Sequence, residues 1–335
     1  MKVLVVKPTA LGDVAQALLV VPQLKRSGFC QQLDWLVDED YAPLVESCPE
    51  VDEIISFPRA RWRRTPRLDQ MFFWFRDLAG RGYDLTLDLQ GLARSGIMTR
   101  MTHANRRVGL SSAREFASFA YTEMVEDYAS HAVDRYQQAI EHCIGKPALI
   151  EPIHAQEKIE THPELRGQTY TVLHPYSQHE RKMWPWQNFE KLVEAMPEEK
   201  FVLIGRGDFF PLLSDRVVDL RNRTDLKSLL EVIAHAKAVV STDSGPAHMG
   251  VALGVPVVGI FGATAPERTA PRGDQVEILS RSPDVSDYGK RRVLNSVEAA
   301  ERMAAISIEE VRDALDRLLQ SAGNQEPDHA RHAGV

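Results

Sequence analysis

Residues 241–264, STDSGPAHMGVALGVPVVGIFGAT, decide the fold. They read as the end of a strand, a tight Asp-Ser-Gly turn, a short helix, a Gly-Val-Pro break and a second buried strand. The turn leaves the backbone N–H groups of Gly245, Ala247 and His248 near the open start of a helix. Such an end carries partial positive charge and unpaired donors, so it suits a phosphate. Ser244 and His248 add side-chain donors at the same place, which points to a nucleotide or a sugar nucleotide. The competing reading is structural: Ser244 caps the helix and His248 packs beneath it. The local pattern alone leaves both open.

Working outward, this stretch is the late part of a run of strand-helix units. Residues 170–173, 201–205 and 238–240 read as strands, with 219–220 closing a further short one. Residues 225–237 place Leu226, Leu229, Leu230, Ile233 and Ala234 on one helical stripe. The loop 178–186 (QHERKMWPW) leads into a helix at 187–196 and offers Lys182, either a diphosphate cation or a solvent lysine. Asp208 is either a helix cap or a ribose contact. In the Pro/Gly loop 265–274 and just before it, Thr264, Glu267, Arg268 and Arg272 are candidates to line a binding site. An amphipathic helix at 306–319 closes the chain before a polar, Gly-containing tail, read as disordered over 321–335.

The first half has the same grammar. Residues 2–7 (KVLVVK) are a buried central strand, followed by a Pro- and Gly-punctuated loop and then Asp13. Asp13 either N-caps the next helix or stands at the mouth of the strand as a general base, since ligands gather at the carboxyl ends of strands in open α/β sheets. Gly12 beside it would admit a close approach of backbone to ligand. Further strands read at 33–37, 52–57, 84–89 (ending in Gln90-Gly91) and 106–110, with helices at 68–80, 92–102 and 128–144. Residues 151–168 are an irregular linker. Alternating strands and helices predict parallel, doubly wound sheets in two domains. The first strand is not followed by G-x-G-x-x-G, and the chain lacks a Walker lysine motif, which disfavours a dehydrogenase or a P-loop enzyme.

Composition narrows the ligand. The chain has 335 residues and a net charge of −7, which argues against a general nucleic-acid binder. Its three cysteines, Cys30, Cys48 and Cys143, are scattered and suit a reducing compartment. Yet residues 59–114 contain twelve Arg, four Asp and neither Lys nor Glu, so this stretch is strongly basic. Arginine's planar fork suits carboxylates and phosphates. The densest run, Arg59-Ala60-Arg61-Trp62-Arg63-Arg64, is either a solvated basic face or a grip on an anionic substrate, and an anionic membrane surface could use it too. Arg114 is read as reaching the same place from a helix start.

Taken together the motifs resemble the lipopolysaccharide heptosyltransferases, glycosyltransferase family 9, most closely the members that add the first inner-core heptose. The resemblance runs over nearly the whole chain. It rests on 7–13 (KPTALGD), Arg61-Trp62-Arg63, 83–95 (YDLTLDLQGLARS), 112–115 (SARE), 182–185 (KMWP), 243–248 and 262–266. It implies a GT-B fold: two Rossmann-like domains facing across a cleft, here 1–155 for the acceptor and 156–320 for the nucleotide sugar, with the last helix able to return to the first domain. It implies an inverting transfer of L-glycero-D-manno-heptose from ADP-heptose to the Kdo inner core on lipid A, with no metal or cofactor, completed by hinge closure. Asp13 matches the catalytic base. Lys182 matches the diphosphate lysine. Ser177, Asp243, Ser244, Gly245 and His248 match the donor side, and Thr9, Gly12, Arg61, Arg63, Arg64, Gln90 and Arg114 are assigned to the acceptor. Thr9 and Ala10 stand where close members have two serines, and Tyr176-Ser177 replaces a pair of hydroxyl residues. The implied setting is the cytoplasm, with peripheral contact with the inner membrane and no nucleic acid. A transferase for a second heptose or another glycan, a sugar-nucleotide epimerase and a non-catalytic binding module are the alternatives.

Overall fold

The computed structural model describes residues 1–65, 67–153, 155, 159–177, 179–207, 214–282 and 296–323. Asp208 and residues 324–335 of the tail lie outside them. The chain divides into two compact units, Met1–Ile159 and Glu160–Val335.

The first unit holds β1 (Lys2–Val6), β2 (Gln32–Asp38), β3 (Glu53–Phe57), β4 (Leu85–Asp88), β5 (Arg106–Leu110) and β6 (Glu123–Val125). They form one parallel sheet in the order β3-β2-β1-β4-β5-β6. β1 is central because its Val3–Val6 run is wholly buried and fits a strand covered on both faces. The second unit holds β7 (Thr171–His174), β8 (Phe201–Leu203), β9 (Val217–Asp219), β10 (Ala238–Thr242), β11 (Val257–Phe261) and β12 (Val276–Ser280). Its parallel sheet runs β12-β11-β10-β7-β8-β9. Counted from its own first strand, each unit has the same strand order, although no sequence repeat links them. That order reverses between β1 and β4 and between β7 and β10. In doubly wound sheets ligands bind at such a switch point, beyond the carboxyl ends of the strands.

Helices cover both faces of the first sheet. The helix Leu68–Gly80 turns Met71, Trp74, Phe75 and Leu78 inward against Leu4, Val6, Leu36, Phe57, Trp62 and Met98. The helix Ala93–Met101 lies beside it, and the 3-10 turn Ala117–Ala120 packs on that helix in turn. The helices Leu11–Leu18 and Ala132–Ile144 pack together in the other layer. In the second unit the last helix, Ile308–Gly323, packs Val311, Ala314, Leu315 and Leu318 on its own unit's sheet and on Phe189 and Leu192.

Several elements differ from the sequence expectation. The arginine run Arg59–Arg64 is itself a helix, held by Trp62, whose ring packs edge-on to Phe57 and Trp74 at 5.3 and 5.6 Å. The helix expected from residue 128 starts at Ala132, because His131 accepts a hydrogen bond from the Val133 N–H at 3.2 Å and caps it. β6 and β12 are edge strands, too short or too weakly buried to show in the pattern. The final helix continues through residue 323, into the stretch expected to be disordered from 321.

Candidate active site

At the first switch point, β1 hands over to Lys7, which is only 3 % exposed. Its Nζ lies 3.6 Å from Asp13 Oδ2 and 5.2 Å from the centroid of the Tyr136 ring. Burial alone would push the Lys7 ammonium toward the neutral form, but the Tyr136 oxygen, Asp13 and Asp88 outweigh it and hold its pKa above the ordinary value. Asp13 is the third residue of the helix Leu11–Leu18, and Gly12 is the second. The helix is N-capped by Ala10 and not by Asp13 as one reading had it; Asp13 instead accepts from the Ala10 N–H at 3.3 Å through Oδ2, reaching back from inside the first turn. Oδ1 has no hydrogen-bond partner among the described residues, and the side chain is 43 % exposed. Thus one carboxylate oxygen is fixed by a buried cation while the other faces outward.

The neighbouring loop after β4 is held by Asp88. This fully buried carboxylate accepts from Gln90 N (2.8 Å), Gly91 N (3.0 Å), Ser95 Oγ (2.8 Å) and Tyr121 Oη (2.8 Å). Burial raises its pKa, and those donors pull it back. Gly109 lets Tyr121 reach across: a Cβ there would stand 2.2 Å from the ring. Gln90 turns its Oε1 to the Thr9 N–H and hydroxyl, at 3.1 and 3.3 Å, which ties the two loops of the switch point together. Arg114 is exposed, and its N–H donates to the Gly91 carbonyl at 2.8 Å. It sits in an irregular turn before Glu115 and Phe116, both at positive φ, rather than at a helix start as expected.

The arginines divide. Arg59, Arg63 and Arg64 line a cavity of about 510 Å³ with Asp38, Asp40 and Tyr41 at the end of β2. Burial raises the Asp38 pKa, against the Asp40 N–H and Arg59, which lower it. Arg61 points elsewhere: it is 64 % exposed and pairs with Glu39 at 3.4 Å. The acidic run Asp38-Glu39-Asp40 is thereby matched by α-helical arginines.

At the second switch point the expected donor residues come together. Lys182 Nζ and Thr264 Oγ1 both donate to Asp243 Oδ2, at 2.6 and 2.7 Å, and Ser177 Oγ donates to the Asp243 carbonyl at 3.2 Å. Asp243 is 10 % exposed, so its charge is matched by the ammonium. Ser244 occupies the N-cap position of the helix Gly245–Ala252 but makes no capping hydrogen bond. Its hydroxyl lies 2.9 Å from His174 Nδ1 and 2.9 Å from Ser241 Oγ. The helix therefore starts without a side-chain cap on its first N–H groups. His248 is buried beneath that start. His174, at the end of β7, was missed by sequence reasoning; burial lowers its pKa to about 4, so it is neutral near pH 7. Gly205 makes room for it and for Tyr176, since a Cβ there would meet the Tyr176 ring at 2.3 Å. Lys7 was missed in the same way. A lysine or histidine closing an apolar stretch of strand marks both positions in the sequence, but their burial follows from the strand order. Among the described residues no three His, Cys, Asp or Glu side chains gather as a metal-holding group, and no helix is long and apolar enough to cross a membrane.

Two parallel six-stranded Rossmann-like sheets, each with polar groups massed at its switch point, give the chain the GT-B fold. The comparison with known proteins is more specific. The model of "Glycosyltransferase family 9 (heptosyltransferase)" matches residues 71–297. The lipopolysaccharide heptosyltransferase 1 of Pseudomonas aeruginosa is 30% identical over 302 residues, covering 84% of this chain and 85% of that protein. That of Salmonella typhimurium is 26% identical, covering 79% and 90%. The structure of the E. coli heptosyltransferase WaaC with ADP superposes with a TM-score of 0.78 at 22% identity, covering 95% of this chain and 100% of that one. The chain belongs to glycosyltransferase family 9, the heptosyltransferases.

Proposed function

We propose that the chain transfers L-glycero-D-manno-heptose from ADP-heptose to the Kdo inner core of lipid A, on the cytoplasmic face of the inner membrane. The observation that carries the reading is the pair of switch points. One presents a half-exposed carboxylate fixed by a buried lysine, and the other an uncapped helix start beside a lysine. The family and the names of its similar members supply the sugar and the acceptor class.

The first unit is assigned the acceptor. Asp13 Oδ1 accepts the proton of the acceptor hydroxyl as that oxygen forms a bond to the anomeric carbon. Lys7 positions the carboxylate from behind. Arg63 and Arg64, with Arg59, take the acidic groups of the acceptor in their cavity; Thr9, Gly12, Gln90 and Arg114 border the same strand ends, and Arg61 contributes from its more exposed position. The second unit is assigned the donor. As the bond from the anomeric carbon to the diphosphate breaks, negative charge grows on the leaving ADP. The N–H groups at Gly245 and Ala247, the Ser244 hydroxyl, His248 and Lys182 meet that charge, with Ser177 and Asp243 holding Lys182 and the turn in place. A single displacement of this kind inverts the anomeric centre.

The test is to incubate the purified protein with ADP-heptose and Kdo-lipid A. The expected result is ADP release that depends on acceptor, with one heptose added to it by mass. Turnover of ADP-heptose without acceptor would overturn the reading in favour of an epimerase or hydrolase. Transfer only to an acceptor already carrying heptose would move the chain to a later step.

A further inference from the structure

The outer layer of the first unit carries an apolar surface that the chemistry above does not use. Among the described residues ten large apolar side chains are exposed, and six of them lie in three consecutive elements of this one layer. They are Leu68, Phe72 and Phe73 on the helix Leu68–Gly80, Ile97 on the helix Ala93–Met101, and Phe116 and Phe119 at the 3-10 turn Ala117–Ala120. Each is exposed over 54 to 83 % of its surface. The three elements are neighbours in space, the middle helix touching the other two. Phe116 and Phe119 stack on each other at 6.2 Å while staying 82 and 83 % exposed, and Phe72 and Phe73 form a second pair at 5.7 Å. The cause is visible in the run Met71-Phe72-Phe73-Trp74-Phe75. Met71, Trp74 and Phe75 turn inward and satisfy the core, so the other rings of the same helix must face out. Large apolar patches on a folded surface mark contact sites.

Charge selects the occupant. The same layer and the helix leading into it hold most of the arginine excess of residues 59–114. The guanidinium of Arg76 lies 4.8 Å from the Phe73 ring centroid. Among the described residues Arg76, Arg94 and Arg100, on the same two helices as Phe72, Phe73 and Ile97, form no ion pair with a carboxylate. Exposed phenylalanines set among unpaired arginines match an anionic bilayer, whose headgroups take the guanidinium groups while the rings enter the acyl boundary. A second copy of the chain would place arginine against arginine.

We infer that this layer is the surface by which the protein docks on an anionic phospholipid bilayer. The inference rests on the proposed acceptor only for its purpose; the docking itself is a separate property. Phe72, Phe73, Phe116 and Phe119 insert, and the arginines hold the layer flat to the surface.

The test uses the full chain and sedimentation with vesicles of phosphatidylcholine alone or with three-tenths phosphatidylglycerol. Binding is expected only to the anionic vesicles, and salt should weaken it. The quadruple variant Phe72→Ser, Phe73→Ser, Phe116→Ser, Phe119→Ser should lower the partition coefficient by about tenfold or more. Its rings are surface groups, so circular dichroism should show an unchanged fold. Transfer to a deacylated, water-soluble acceptor should be unchanged in this variant, and transfer to vesicle-borne acceptor should fall. Failure of the wild type to bind anionic vesicles, equal binding by the variant, or a wild-type dimer in sedimentation that the variant loses would each overturn the docking surface. Absence of transfer to either acceptor with vesicle binding intact would overturn the proposed reaction instead.

Discussion

Each half of the molecule places a lysine and an aspartate together at its switch point, with opposite exposure. In the first unit the lysine is buried and the aspartate reaches outward: Lys7 is 3 % exposed and Asp13 43 %. In the second the aspartate is the more buried partner: Asp243 is 10 % exposed and Lys182 21 %. The same ion pair therefore presents a carboxylate on one side and a cation with an uncapped helix start on the other. The proposed general base and the proposed anion seat differ in which partner the fold hides. The difference traces to position. Lys7 continues a central strand into the core, whereas Lys182 stands in a surface turn and reaches in to Asp243.

The contrast breaks most visibly at Asp13. Asp13→Ala should lower turnover by about 10²–10⁴-fold, the ordinary contribution of a general base; steady-state rates check this, and a near-normal rate would remove the base assignment. The next largest effect is expected at Lys182. Lys182→Ala should weaken donor binding by about 1.5–3 kcal/mol through loss of a charge-assisted contact, as calorimetric titration with ADP would show. Adding Asp243→Asn should recover stability lost by stranding that carboxylate, and not the affinity.

A pH experiment sharpens the second half of the comparison. His174 titrates near 6.5 when unfolded and at about 4 when buried in the fold. Between those values the unfolded chain binds the proton and the native one does not, so stability falls as the pH drops from 6.5 toward 4. Urea unfolding at pH 7.5 and pH 5 should differ by about 2 kcal/mol from this group, and His174→Asn should remove that part of the difference. The smallest effect is expected in the arginine cavity. Arg63→Ala with Arg64→Ala should raise the acceptor KM by roughly tenfold, as for the loss of one charge-assisted contact of about 1.5 kcal/mol, with the donor KM nearly unchanged. The reverse split would move both residues out of the acceptor site.

What was legible in the sequence follows the physics of each element. The strand Arg106–Leu110 and the helix Leu68–Gly80 were readable to the residue, because apolar pattern and Gly punctuation agree there. The strand-turn-helix-strand course of residues 238–261 was readable for the same reason. The helix Arg59–Arg64 was not, since a single tryptophan supplies its packing and no periodicity can show in six residues. The edge strand β12 was hidden because every one of its residues is only half-buried. Lys182, Asp243 and Ser177 were assigned to the donor side from motif and resemblance, and in the fold Lys182 and Ser177 both hydrogen-bond to Asp243. Ser244 was offered as either cap or ligand group, and only the fold reveals His174 drawing its hydroxyl away from the helix. The burial of Lys7 and His174 depends on strand order, which a list of strands in sequence does not contain.

The division of labour between the two lysine–aspartate pairs is tested most directly by titrating ADP into the wild type, Asp13→Ala and Lys182→Ala side by side. The account predicts an ADP Kd unchanged by Asp13→Ala and raised by Lys182→Ala; a Kd raised by the first and unchanged by the second would contradict it.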